Sequence, residues 1–194
     1  MRQAVYIWVA IGLLWPAAVY AEQPLEILQQ GLEEGIALLK PPTGEVPSAG
    51  QVQSQRLWSL ADRLFDFDEF ARRVLAAHWR RFTPGQRREF TEVFTRFLRN
   101  KYLPQLQAKY RGETVLDMRQ ALITPAEAVI SAKVLHRNLS IPIDIRMRKG
   151  PETWKIYDLN ILGVSAVGNY RAQFDAVLRK RSPAQAIELL KARL

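Results

Sequence analysis

The stretch Ile141-Pro142-Ile143-Asp144-Ile145-Arg146-Met147-Arg148 alternates apolar and polar side chains without a break. Successive side chains of a strand point to opposite faces, so Ile141, Ile143, Ile145 and Met147 share one apolar face. Pro142 cannot donate to a ladder, which places it at the start of its strand or on an edge. Arg148-Lys149-Gly150-Pro151-Glu152 then reads as a turn, and residues 154–159 as a further strand. Upstream, residues 115–123 and 128–135 are two more strands around a Thr124-Pro125 turn. Four strands in succession predict a mostly antiparallel sheet with helices on one face, an α+β fold.

The chain before the sheet has a helical period. Leu25, Leu28, Leu32, Ile36 and Leu39 form the stripe of a helix over 24–39, and residues 40–50, rich in proline and glycine, read as a loop. Leu57, Leu60, Ala61 and Leu64 mark a second helix. Asp66 and Glu69 have the spacing of a capping box ahead of Phe67, Phe70, Ala71, Val74 and Leu75. Thr83-Pro84-Gly85-Gln86 is a stronger start signal: a capping hydroxyl, a proline at the first helical position and a glutamine to close the box. Phe90, Val93, Phe94, Phe97 and Leu98 follow, until Pro104 kinks or ends the helix. After the sheet, Val167, Tyr170, Phe174, Val177 and Leu178 form another stripe, and Ser182-Pro183-Ala184-Gln185 repeats the capping device.

Residues 1–21 carry one positive charge, Arg2, then an uncharged apolar run over 4–15, then Val19-Tyr20-Ala21 before Glu22. This is the form of a cleavable secretion signal; a membrane span needs about 20 apolar residues. Residues 22–194 are expected to be one exported domain, with no internal repeat. The chain has no cysteine, which excludes thiol chemistry, thiolate metal sites and a lipid-modified cysteine. Its net charge of +9 suits an anionic partner surface. No zinc-finger spacing, glycine-rich clamp or aromatic RNA-binding signature supports nucleic acid.

Candidates for catalysis are few. His78 and His136 are the two histidines, and neither has a second histidine or a carboxylate at ligand spacing. Ser165 follows a strand-like run, but Val167 stands where a nucleophile elbow has its second glycine, so a helix cap is the better reading. Asp144 and Asp158 are expected to pair with basic residues. With no phosphate loop, dinucleotide fingerprint or calcium loop, the reading is a binding protein, not an enzyme, with no cofactor. Aromatic residues crowd residues 65–102, as either a solid core or the wall of an apolar site, and Arg72, Arg73, Arg80 and Arg81 lie among them.

Three blocks carry a resemblance. They are Ala71-Arg72-Arg73-Val74-Leu75 with His78-Trp79-Arg80 running into Thr83-Pro84-Gly85-Gln86-Arg87-Arg88-Glu89-Phe90; Pro142-Ile143-Asp144-Ile145-Arg146-Met147; and residues 154–165, continued by Asn169-Tyr170-Arg171. In order and spacing they resemble the toluene-tolerance family of periplasmic phospholipid-binding proteins, the soluble component of the lipid-asymmetry maintenance ABC transport system. The likeness spans nearly all of 23–194. Ile145 replaces a usual tyrosine and Leu162 a common glutamate.

The resemblance implies helices on a four-stranded sheet enclosing an apolar cavity for acyl chains. The chain would be a periplasmic carrier moving phospholipid between inner and outer membranes. Its partners would be an inner-membrane ABC lipid transporter complex and an outer-membrane lipoprotein-porin complex, with transient membrane contact. The lipid-contacting residues expected are Trp79, Phe90, Phe94, Phe97, Tyr102, Ile130, Val134, Ile143, Ile145, Met147, Tyr170 and Phe174. Arg72, Arg73, Arg80 and Arg81 are expected to meet a headgroup or membrane. One branch of the family is tied to hopanoids, so a polycyclic lipid is an alternative cargo; an envelope adaptor with a solid core is the other alternative.

Overall fold

A computed structural model describes residues 23–40, 49–110, 112, 114–136 and 139–194. The expected signal over 1–21, most of the 40–50 loop, and Arg111 lie outside them. Six helices and five strands follow in the order α1 (Pro24–Leu39), α2 (Ala49–Leu64), α3 (Phe67–Leu75), α4 (Pro84–Lys109), β1 (Thr114–Thr124), β2 (Glu127–His136), β3 (Leu139–Lys149), β4 (Trp154–Ile161), β5 (Val164–Ser165), α5 (Ala166–Leu178) and α6 (Pro183–Lys191). A 3-10 segment, Ala76–Arg81, joins α3 to α4.

The capping chemistry explains the helix starts. Thr83 Oγ1 accepts from the Gln86 N–H while Gln86 Oε1 accepts from the Thr83 N–H, and Ser182 and Gln185 repeat the reciprocal pair. At α3 only half the expected box forms. Asp66 accepts from the Glu69 N–H at 2.9 Å, but the Glu69 side chain turns inward to arginines instead of back to the Asp66 backbone. Nor does Pro104 end α4, which runs on to Lys109. Pro104 is exposed, so water can serve the carbonyl whose in-helix donor is missing.

The sheet is wholly antiparallel in the order β1-β2-β3-β4-β5, one strand more than the four expected. The addition is the two-residue β5, folded back on β4 by Leu162-Gly163, both at positive φ (54° and 83°). Two such residues make the tight reversal that a two-residue hairpin needs. Pro142 lies near the start of β3, yet β3 is an interior strand. The proline is accommodated where β4 ends, its carbonyl accepting from the Leu162 N–H at 3.1 Å.

The register puts Val134, Ala132, Ile130 and Ala128 of β2 opposite Ile141, Ile143, Ile145 and Met147 of β3. Ile161, Leu159 and Ile156 of β4 continue the rows. Opposed residues share a face, so these side chains form one apolar surface. Ile27 and Leu28 of α1 pack on it, with Leu64 and Phe65 from the end of α2. The second core lies among helices α3, α4, α5 and α6 around Phe70, Phe82, Phe90 and Phe94.

Candidate functional site

The apolar face of the sheet is covered at one end and open at the other. Along β3, Met147 is 0% exposed, Ile145 is buried, Ile143 and Ile141 are half-buried, and Leu139 is 65% exposed. Val134 and Leu159 beside them are half-buried, while Ile161 and Val164 are exposed. The helix cover from α1 therefore stops about halfway along the strands. Leu162 at the β4–β5 turn adds a further exposed apolar side chain.

On α4, Tyr102 and Leu106 are also exposed. α5 starts directly after β5, and its Tyr170 hydroxyl lies 2.7 Å from that of Tyr102. Lys101 Nζ donates to the Tyr170 hydroxyl at 3.3 Å and sits 5.3 to 5.6 Å from the ring centroids of Phe97, Tyr102 and Tyr170. Burial, reinforced by the bond with Tyr102, pushes the Tyr170 phenol well above its ordinary pKa, so it stays a neutral hydroxyl.

The structure distributes the expected lipid-contacting residues over two clusters. Phe90 and Phe94 are fully buried and stack at 5.5 Å, with Tyr170 and Phe174 edge-on, and Phe97 and Trp79 border the same helical cluster. Ile130, Ile145, Met147 and Ile143 belong to the sheet cluster under α1. Val134 lies toward the open end of the sheet, and Tyr102 stands exposed beside Tyr170 of the helical cluster. Phe94 and Phe97 therefore pack against other helix side chains, not against the β3 row with which they were expected to share a wall.

The four arginines expected at a headgroup are not at the open end either. Glu69, 3% exposed at its side chain, accepts from Arg72 Nε at 2.7 Å and Arg73 Nε at 2.6 Å, with Arg148 Nη1 at 3.3 Å. Arg73 also reaches Glu127 at 2.8 Å and covers the Tyr157 ring at 3.8 Å. Glu127 pairs with Arg148 at one end of the β2–β3 ladder and His136 with Leu139 at the other. Nine residue-to-residue steps along β2 separate them, about 30 Å. Arg81 Nη1 donates to the Leu178 carbonyl at 2.7 Å, so it is a helix tie. Arg80 remains exposed.

Among the described residues no constellation for catalysis assembles. Arg81 can only donate, so His78 Nδ1 accepts at 3.0 Å and Nε2–H is assigned as the donor to Asp175 at 2.8 Å. That bond, then one from Arg179, holds the Asp175 carboxyl below the usual range. Ser165 caps α5, accepting from the Gly168 N–H at 2.9 Å, and donates to Asp158 at 2.6 Å. Asp158, 5% exposed, also accepts from the Val167 N–H at 2.9 Å; its partners are a hydroxyl and a helix start, not the basic residue expected. Asp144 likewise accepts from Ser131 Oγ at 2.7 Å. Among the described residues no three His, Asp or Glu side chains group to hold a metal. Ser165→Ala is expected to lower the unfolding free energy by about 1–2 kcal/mol, from a lost cap and a buried carboxylate short of one donor. Urea unfolding measures this, and the lipid content of the protein should not change.

Sequence reasoning missed the uncovered end of the apolar face, where half-buried Ile141 lies among exposed Leu139, Ile161 and Val164, and Glu69 as the hub of the arginines. The alternation of β3 did hold Ile141; what it lacked was where α1 stops.

No helix among the described residues is long and apolar enough to cross a membrane. Among solved structures, the phospholipid-binding protein from Ralstonia solanacearum, solved in complex with a phospholipid, matches with a TM-score of 0.75 at 23% sequence identity. The match covers 89% of this chain and 97% of that one, and at this identity it speaks to the fold. No curated protein matches the chain significantly. Residues 29–192 match the family model described as MlaC protein, which takes in α2 through α6, the whole sheet and most of α1. The chain belongs to the MlaC protein family, the toluene-tolerance family of phospholipid-binding proteins.

Proposed function

We propose that the protein is a periplasmic carrier that takes up phospholipid acyl chains over the open half of its apolar sheet face and shuttles lipid between inner and outer membranes. The observation that carries this reading is the exposure gradient along β3, from Met147 sealed under α1 to Leu139 standing free. A soluble domain rarely leaves a contiguous apolar row uncovered unless something binds there. The phospholipid in the Ralstonia solanacearum structure supports the choice of ligand. Tyr102, Val134, Ile141, Ile143, Leu159 and Ile161 would meet the chains.

The energetics suit a carrier. A two-chain phospholipid has roughly 30 methylenes at about 0.8 kcal/mol each, so crossing water unaided costs on the order of 20 kcal/mol. Moving the chains from bilayer to an apolar protein face exchanges one apolar host for another and removes most of that barrier. Unloading stays feasible for the same reason. The inner-membrane ABC lipid transporter and the outer-membrane lipoprotein-porin complex would be its exchange partners at the two membranes, and residues 1–21 the export signal.

The test is extraction of the purified, exported protein with organic solvent and mass spectrometry of what is released. Phospholipid near one molecule per protein is expected. A hopanoid in its place would change the cargo, and protein that is lipid-free and fails to take up phospholipid from vesicles would reject the carrier.

A further inference from the structure

At the arginine-bearing end, away from the open apolar face, Arg72, Arg73, Ala76, Ala77, Trp79, Arg80 and Arg171 line a cleft of about 580 Å³. Its lining holds four arginines and no acid. Arg72 and Arg73, with Arg148 behind them, are balanced by Glu69, Asp66 and Glu127. Arg80 and Arg171 are not: among the described residues neither meets a carboxylate. Arg171 is nevertheless fixed, because its Nε–H donates to the Arg73 carbonyl at 3.0 Å and leaves its two terminal nitrogens free. The backbone makes the recess by a sharp reversal at Ala76, whose φ of 47° and ψ of −121° is a conformation residues other than glycine rarely adopt. That reversal sets Trp79 and Arg80 across from Arg72.

A second cleft of about 480 Å³ shares Arg72 and Trp79 with the first. Arg87 and Arg88 line it, but so do Asp66, Asp68 and Glu69. Trp79 forms the wall between the two, held by Arg87, which donates to its carbonyl at 3.1 Å and lies 5.2 Å from its ring.

We infer that these joined clefts are a docking groove for an acidic polypeptide segment of a partner protein, whose carboxylates are taken by Arg80 and Arg171 beside Trp79. Forked guanidinium groups match carboxylates in pairs, and one held by its own Nε bond loses little freedom on binding. The shape and sign pattern favour a peptide over a bilayer. A headgroup layer is flat on this scale and does not enter a recess, and Asp66 and Asp68 next door would repel it. A peptide side chain reaches in, and a mixed acidic and basic segment complements both clefts. Standing at the other end of the sheet from the open apolar row, the groove leaves that row free while a partner is held.

The probe is a fluorescein-labelled octaglutamate peptide, titrated against the protein at low salt by anisotropy. Arg80→Glu is expected to weaken binding tenfold or more, and Arg80→Ala by an intermediate factor. Arg56→Glu, the same charge change at an exposed position of α2, is expected to weaken it less than twofold. Among the described residues Arg80 makes no bond that its replacement would break, so urea midpoints and lipid content of the Arg80 variants should match the parent. Equal losses for Arg56→Glu and Arg80→Glu would overturn the site, as would no binding of the peptide. Displacement of the peptide by inorganic phosphate, or by phosphatidylglycerol vesicles at matched charge, would overturn the choice of partner.

Discussion

Glu69→Ala lowers the unfolding free energy by about 3 kcal/mol, at the lower edge of the usual cost of leaving buried charge unpaired. Glu69 is 4% exposed, accepts three short hydrogen bonds from Arg72 and Arg73, and has Arg148 at 3.3 Å. Removing it leaves three guanidinium groups around an empty place, with Asp66 and Glu127 to balance them only at the margins. Arg72 and Arg148 keep access to water, which softens the loss. The network joins α3 to the start of β2 and the end of β3, so the loss should appear as a lower urea midpoint in a single transition. A change below about 0.5 kcal/mol, the range of an ordinary surface substitution, would contradict this account.

The same carboxylate makes stability depend on pH with a definite sign. Burial alone would raise its pKa, but hydrogen bonds from Arg72 and Arg73 outweigh that and hold it below its ordinary value of 4.5. The unfolded chain thus takes up this proton at a higher pH than the folded one. The contribution of Glu69 is fully present above 4.5 and is lost as pH falls through the lower folded value. The gap between parent and Glu69→Ala should accordingly close on acidification; a gap constant down to about pH 3 would mean that the charge on Glu69 is not what matters.

How much of this was legible beforehand differs by the range of the interaction. The caps at Thr83, Ser165 and Ser182 are local chemistry, decided by residues three apart, and the structure has them as read. The alternation along Ile141 to Met147 is likewise local, and it placed these side chains on one face. Asp66 and Glu69 had capping-box spacing too, yet Glu69 was drawn away by Arg72, Arg73 and Arg148, the last of them 79 residues downstream. Spacing cannot reveal a competitor brought in by the fold. The two-residue β5 was not read as a strand of its own, because two residues have no period. Most consequentially, helix and strand aromatic and aliphatic residues were expected to share one wall. The separate helical and sheet cores that formed instead depend on where α1 packs, which no pattern within α1 encodes.

Ile141→Asp cuts the phospholipid bound to the exported protein at least tenfold and changes its stability little. Ile141 is half-buried, opposite Val134, between exposed Leu139 and half-buried Ile143. In the free protein a carboxylate there keeps most of its water, because α1 does not reach this part of the face. Under an acyl chain it would lose that water, and the arginine cluster around Glu69 lies at the other end of the strands. An ion desolvated without a partner costs several kcal/mol, and each 1.4 kcal/mol is a factor of about ten in affinity. The same change at Ile145, two pleats along and 8% exposed beneath α1, meets a different environment. There the carboxylate is forced into the core, and the protein should lose several kcal/mol of stability whether or not lipid is present. The pair separates a binding face from a packing face on one strand. Lipid-to-protein ratio by mass spectrometry, set beside the urea midpoint, reads both. If Ile141→Asp keeps its lipid at the parent ratio, the acyl chains do not lie over the open end of the sheet, and the carrier face must be sought elsewhere on the molecule.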